Sequence, residues 1–442
     1  MPDMPLTPVR RDEIIDALRR GTVPRSGLDA FAVGLQPFEK TFDEELRKVA
    51  GGGSGFKAVR GDYGCGKTFF TRWLAQKARM LGFATSEVRI HSTEVPLHRL
   101  DTVYSRLMKE LSTDSSPQGA WRSIVDGWFF ALEEDVRAET KINPSDREAL
   151  DKRVTELLEM KLAKVSGTAF GPVLRAYREA QMKGDRLTAD SLLRWLAGQP
   201  DVAAAAKRVA GVKGEIDQVG ALDFLQGMLT VLHDAGHPGL LVVLDEVETI
   251  QRARSDVREK GLEALARLID QIDDGRFPGL YLVITGTTSF FDGPQGIRRS
   301  EPLSQRLHTE FVAEHVNPRA VQILLPPFVP DRLCEVGRKV RGIYQQGSQA
   351  SQRIAELCDD DYVEKLALAV AGELGGKVGV APRIFLKKLV VNVLDLIDLA
   401  PTFHPRKDYK LTLDDQELTR EERQARNAMN ADDIELQIDE DE

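Results

Sequence analysis

Three cysteines in 442 residues, Cys65, Cys334 and Cys358, are too few and too scattered for a disulfide framework or a thiolate metal site. The seven histidines, His91, His98, His233, His237, His308, His315 and His404, share no ligand spacing, which removes the usual zinc patterns. Apolar runs such as Leu240–Leu244 are far too short to span a bilayer. Met1 to Arg20 alternates charged and apolar residues and holds no continuous signal-peptide core. These absences point to a cytoplasmic protein in a reducing compartment with no membrane partner. There is no Gly-x-Ser-x-Gly elbow, and Cys358 has no histidine near it in sequence, so hydrolytic chemistry on anything but a nucleotide lacks support. No stripe of Lys and Arg interleaved with aromatics marks a nucleic-acid face, and no internal repeat is found.

The composition itself, 42% hydrophobic and 29% charged, is that of a globular protein with ample material for a core. The formal charge of −9 is unevenly placed. From Leu413 to Glu442 twelve acidic residues face three arginines, which accounts for the whole excess and leaves the body neutral. That ending has almost no aromatic content and reads as a disordered acidic tail, either solubilising or a docking segment that mimics DNA. A chain of this length is expected to fold as two or three units. The sequence divides into a helical start (1–50), a core in two pieces (51–100 and 221–330), a helical insertion (101–220), a helical lid (331–412) and the tail (413–442). Within the core, short apolar strands at Phe56–Arg60, Ala84–His91, Leu240–Leu244, Leu280–Ile284 and Gln322–Leu325 alternate with amphipathic helices. Such alternation predicts an α/β protein, a parallel sheet flanked by helices. The insertion reads equally as a partner-recognition module or as plain structure.

The strongest motif is Gly61-Asp62-Tyr63-Gly64-Cys65-Gly66-Lys67-Thr68, a complete G-x-x-x-x-G-K-T, with Phe69 opening the next helix. A strand precedes it and a helix follows. Its glycines let successive N–H groups converge on phosphate oxygens, and the helix N-terminus adds a favourable field for an anion. Lys67 supplies a charge to the β- and γ-phosphates, and Thr68 offers a hydroxyl to Mg²⁺. ATP and Mg²⁺ are the cofactors these residues imply. Cys65 within the loop reads as small-residue packing rather than a redox centre. The strand Gly239–Leu244 ends in Asp245 and Glu246, two carboxylates at the edge where open parallel sheets bind ligands. Asp245 is expected on the metal and Glu246 on the attacking water. The strand at Leu280–Ile284 leads into Thr285, Gly286, Thr287 and Thr288. Thr285, and after it Thr287, is the candidate to touch the γ-phosphate or the water, with ordinary capping as the alternative.

Arginines complete the set. Arg298, Arg299 and Arg306 follow that strand, and Arg306 leads as a finger that would stabilise charge on a transferring phosphoryl group, from a neighbouring copy. Arg383, after Pro382 at the start of an apolar helix in the lid, is a candidate to reach the nucleotide; a structural ion pair is its alternative. Lys387 and Lys388 beside it form the lid's densest basic cluster.

Loop, Asp-Glu strand, hydroxyl-ended strand, arginine and Pro-Arg lid, in that order, resemble an AAA+ ATPase of the origin-recognition and Cdc6-like branch. A closer resemblance, over about Asp12 to Leu399, is carried by Ile15-Asp16-Ala17-Leu18-Arg19-Arg20-Gly21-Thr22-Val23-Pro24, by Val33-Gly34, by Arg60 to Thr68 and by Ile284-Thr285-Gly286-Thr287. These look like the BrxD family of bacteriophage-exclusion (BREX) ATP-binding proteins. The resemblance implies an antiviral-defence ATPase, partnered by DNA, by a helicase or other BREX components and by copies of itself. It also implies a winged-helix-like C-terminal module, which would have to lie within Asp331–Leu413. Thr285 stands where the origin-recognition pattern carries Asn. Two functions remain open on the sequence: a hydrolysing enzyme that loads or remodels a partner, or a nucleotide-gated switch with negligible turnover. A small-molecule kinase fits the lid and insertion poorly.

Overall fold

The computed structural model describes residues 6–139, 147–163, 168–312, 315–373 and 382–412, together with Gln416 and Arg423. The rest of the acidic tail lies outside the described residues. In chain order, α1 (Pro8–Arg19) and α2 (Gln36–Ala50) precede β1 (Gly55–Arg60), α3 (Lys67–Met80) and β2 (Ala84–Arg89). Six helices follow: α4 (Leu100–Lys109), α5 (Trp121–Glu139), α6 (Arg147–Lys161), α7 (Phe170–Met182), α8 (Arg186–Leu196) and α9 (Ala204–Val209). Then come α10 (Gln218–Asp234), β3 (Leu240–Asp245), α11 (Ser255–Asp273), β4 (Leu280–Gly286), α12 (Thr288–Asp292) and α13 (Glu301–Arg306). After β5 (Gln322–Leu324) the described chain is helical: α14 (Pro330–Gln345), α15 (Ser351–Leu357), α16 (Asp360–Glu373), α17 (Pro382–Lys388), α18 (Asp395–Leu399) and α19 (Pro405–Asp408).

The strands form one five-stranded parallel sheet in the order β2-β3-β4-β1-β5. All seven residues of β4 and the first five of β3 are buried, which is why these segments read as unbroken apolar runs. Each Leu, Val or Ile so buried contributes about 1.5–3 kcal/mol relative to exposure. Register places Arg89 opposite Asp245, and Leu244 opposite Ile284.

The chain divides into two compact units. One comprises Asp43–Ala58 and Lys77–His308. It contains β2, β3, β4 and most of β1, and its core continues from the sheet into the helices α5, α7 and α10 through Trp128, Phe170, Tyr177 and Phe224. The Tyr104 hydroxyl donates to the Leu196 carbonyl at 2.8 Å, and the Trp128 indole N–H donates to Asp234, so these buried rings keep their polar atoms satisfied. Asp217 caps α10 by accepting from the Gly220 N–H at 2.7 Å.

The other unit comprises Met1–Phe42, Val59–Gln76 and Thr309–Glu442. In it β5 continues alongside the end of β1, where the Leu325 N–H donates to the Arg60 carbonyl at 2.9 Å. Ile14, Ile15, Ala17 and Leu18 give α1 one buried face, which packs on α14 and α17. Leu389–Leu394 is a π-helical stretch between α17 and α18, a form found mostly as single turns inside α-helices. It leads into Asp395, whose carboxylate takes the Arg19 guanidinium at 2.7 Å and the Tyr344 hydroxyl at 2.7 Å.

Candidate nucleotide site

The glycine-rich loop leaves β1 and enters α3, as its sequence pattern requires. Gly64 and Gly66 have φ of 80° and 92°, conformations that a side chain would strain. A Cβ on Gly61 would stand 2.5 Å from the Cys65 sulfur and 3.2 Å from the Leu325 carbonyl, so the loop closes only around glycine there. Lys67 is 8% exposed, and its ammonium donates to the carbonyls of Gly61 at 2.7 Å and Asp62 at 3.1 Å. The Tyr63 ring lies 5.2 Å from the same ammonium. Burial pushes the Cys65 thiol above its ordinary pKa, against the pull of Lys67, and so keeps it a neutral packing group. Phe69 meets Phe31 edge-on at 5.2 Å, which joins the segment after α1 to the start of α3.

In the sheet-bearing unit the second cluster assembles one residue beyond the paired Leu244 and Ile284. Asp245 and Thr285 stand on neighbouring strands. The Thr285 hydroxyl, fully buried, donates to the Asp245 carboxylate and accepts the Glu246 N–H at 3.1 Å. One hydroxyl therefore organises both acids. Thr287, the second choice on sequence, is spent differently: it caps α12 by accepting the Phe290 N–H at 3.3 Å. Glu246 has φ 58° and ψ 44°, a left-handed backbone that is uncommon outside glycine and clusters at functional sites. Its carboxylate accepts from Arg89 Nε at 2.7 Å.

Arg89 belongs to no sequence motif, yet it meets the acids. A strand ending at the same sheet edge as Asp245 was legible, and a parallel register would have put Arg89 beside the acids. Pairing between strands distant in sequence is not written in either strand alone.

The arginines are dispersed. Arg306 ends α13 in an ion pair with Asp270 of α11, Arg299 lies 3.6 Å from Glu259, and Arg298 is exposed. Arg383 stands in the first turn of α17 with its guanidinium against Gly21, just past α1. Of the basic cluster near it, Lys388 is 6% exposed, so the surface there is less basic than the sequence suggested. Among the described residues no helix is long and apolar enough to cross a membrane, and no cluster of three or more His, Cys, Asp or Glu forms a metal cage.

A glycine-rich loop that turns from β1 into α3, on a parallel sheet flanked by helices, makes this a P-loop fold of the kind that binds nucleotides. The chain belongs to the family of BREX system ATP-binding proteins BrxC/D, whose family model matches residues 6–413. A search of curated proteins gives no match. Among solved structures it is similar to the ORC2 protein of Aeropyrum pernix in its ADPNP–ADP complexes, at 12% identity and a TM-score of 0.34, covering 80% of this chain and 66% of that one. A Drosophila ORC bound to DNA matches at 13% identity and a TM-score of 0.30, covering 89% of this chain and 69% of that one.

Proposed function

We propose that this BREX ATP-binding protein hydrolyses ATP with Mg²⁺ and spends the cycle on a DNA-processing partner in the cytoplasm. The observation that carries the reading is the Thr285 hydroxyl, which fixes Asp245 and Glu246 together through one buried group. In this reading one acid holds the metal and the other takes the water's proton, the division of labour that hydrolysis needs and storage of a nucleotide does not. The Gly61–Thr68 loop, with Lys67, receives the phosphates. The Thr68 hydroxyl and the Asp245 carboxylate are each oxygen donors of the kind a hard cation takes, besides waters and phosphate oxygens. Mg²⁺ would neutralise charge on the β- and γ-phosphates there. Glu246 would take the proton of the attacking water, with Thr285 holding its backbone in place. Arg306 leads Arg298 and Arg299 as the candidate to act on a neighbouring copy, and it must first leave its acidic partner on α11, Asp270. Arg383 stands as the lid's contribution.

The second reading, a switch that holds ATP with negligible turnover, is favoured by one contact. Arg89 pairs with the Glu246 carboxylate, and a base held in an ion pair is less available to the attacking water. DNA binding and helicase loading come from the family resemblance. They are tested by retention on labelled duplex DNA across a salt series, with phosphate release followed in parallel. Binding that weakens with salt and raises turnover supports the remodelling enzyme. Salt-independent retention, or none, removes DNA from the account and leaves the protein partner as the effector.

A further inference from the structure

Glu246 is one of two non-glycine residues with positive φ among the described residues, the other being the exposed Asp201. A left-handed conformation at such a residue costs about 1–3 kcal/mol and persists only where the surroundings over-determine it. Thr285 secures the N–H side. The carbonyl side belongs to Thr249, three residues on, in the 3₁₀ turn Val247–Arg252. The Thr249 N–H donates to the Glu246 carbonyl at 3.1 Å, and its hydroxyl lies 2.9 Å from the same oxygen. That hydroxyl is also 3.1 Å from the carbonyl of Ile90, the residue after β2, whose own N–H donates to the Asp245 carbonyl at 2.9 Å. Thr249 is 8% exposed, so water does not compete freely for these bonds. Farther along the turn, the buried Arg258 donates to the carbonyls of Gln251 at 3.1 Å and Ala253 at 3.4 Å, and the Gln251 side chain reaches the Ser289 carbonyl at 3.3 Å. The turn behind Glu246 is thus tied to β2, to α11 and to the segment after β4.

We propose that Thr249 is a positioning residue for Glu246: its hydroxyl pins the left-handed peptide of the base to the end of β2 and so sets where the carboxylate can reach. The inference rests on the reading of Glu246 as the base. A threonine hydroxyl bonded to a carbonyl three or four residues back is common in helices and turns, and there it is only structural. Here the accepting carbonyl belongs to the strained residue itself, and the same hydroxyl holds a neighbouring strand. Removing it leaves the fold's apolar packing in place and loosens one peptide.

The test is a set of variants measured for steady-state turnover, for ATP affinity with a fluorescent analogue, and for amide exchange across residues 244–253. Thr230→Val is the control, because the Thr230 hydroxyl bonds the Gln226 carbonyl at 3.1 Å on α10, away from the acids. Losing one such bond is worth on the order of 1 kcal/mol, so Thr249→Val is expected to lower kcat about five- to tenfold. ATP affinity should stay unchanged, and exchange should accelerate in 244–253 alone. Thr249→Ser should restore both readouts, and Thr249→Ala gives the same comparison should valine not fit the turn. Unchanged kcat in Thr249→Val, or an equal fall in Thr230→Val, overturns the proposal. Should the wild-type protein show no turnover at all, the ATPase reading falls. The exchange arm still decides the clamp: faster exchange confined to 244–253 supports it, and unchanged exchange overturns it.

Discussion

Arg89→Ala shows whether the base is held back by its ion pair, because restraint by Arg89 and participation of Arg89 in the reaction give opposite signs. In the structure Arg89 Nε holds the Glu246 carboxylate at 2.7 Å, with side chains 73% and 30% exposed. An ion pair this open to solvent is worth about 0.2–1 kcal/mol, far less than a buried one. At the upper end, 1 kcal/mol is a roughly fivefold change in the fraction of molecules whose Glu246 is free. If the pair restrains the base, Arg89→Ala raises turnover at saturating ATP by up to about fivefold and leaves ATP affinity unchanged. Raising salt from 0.05 to 0.3 M should mimic part of that rise in the wild type and almost none in the variant, since screening acts on the pair. Steady-state phosphate release reads both. A fall of tenfold or more in Arg89→Ala would contradict restraint and place Arg89 in the reaction rather than against it. No change with either mutation or salt would mean that the pair restrains nothing.

Other substitutions probe the remaining parts. Lys67→Ala removes a charge-assisted bond to phosphate, worth about 1.5–3 kcal/mol, so ATP should bind some 10–100-fold more weakly by calorimetric titration. Cys65 should resist a maleimide at neutral pH for as long as the protein stays folded, since burial keeps its thiol neutral, and Cys65→Ala should bind ATP within about twofold of wild type. Asp395→Asn breaks the pair with Arg19 and weakens the bond from Tyr344, for about 1–2 kcal/mol in a partly exposed site; scanning calorimetry should show a fall of a few degrees in Tm. The Arg19 guanidinium is pushed up chiefly by its bond to Asp395. A raised pKa on a cation contributes stability below its unfolded value, so no loss from Arg19 is expected between pH 6 and 9.

The parts legible in the sequence were those whose information is local. The Gly61–Thr68 loop is a chain of adjacent residues whose backbone needs are written in its glycines. The strands β3 and β4 announced themselves because a strand buried on both faces tolerates little but Val, Leu and Ile, as in Leu240–Leu244. Thr285 was found because it ends such a strand. The sequence ranked it ahead of Thr287, and the structure supplies the physical reason: its hydroxyl reaches Asp245 on the neighbouring strand, while that of Thr287 caps a helix. Arg89 and Thr249 carry no motif. They matter because β2 lies next to β3 and because a short turn folds back on Glu246, and both facts belong to tertiary structure. The arginines show the converse. Sequence order brought Arg298, Arg299 and Arg306 forward as a group, yet α11 binds two of them through Glu259 and Asp270, partners some thirty to forty residues earlier.

The most direct test of the central claim is phosphate release by the purified protein with ATP and Mg²⁺, with and without duplex DNA, beside Lys67→Ala and Glu246→Gln. The account requires turnover in the wild type that is lost in both variants, with Glu246→Gln still retaining bound ATP and Lys67→Ala not. Turnover that survives in Glu246→Gln, or tight ATP binding by the wild type with no release under either condition, would contradict it.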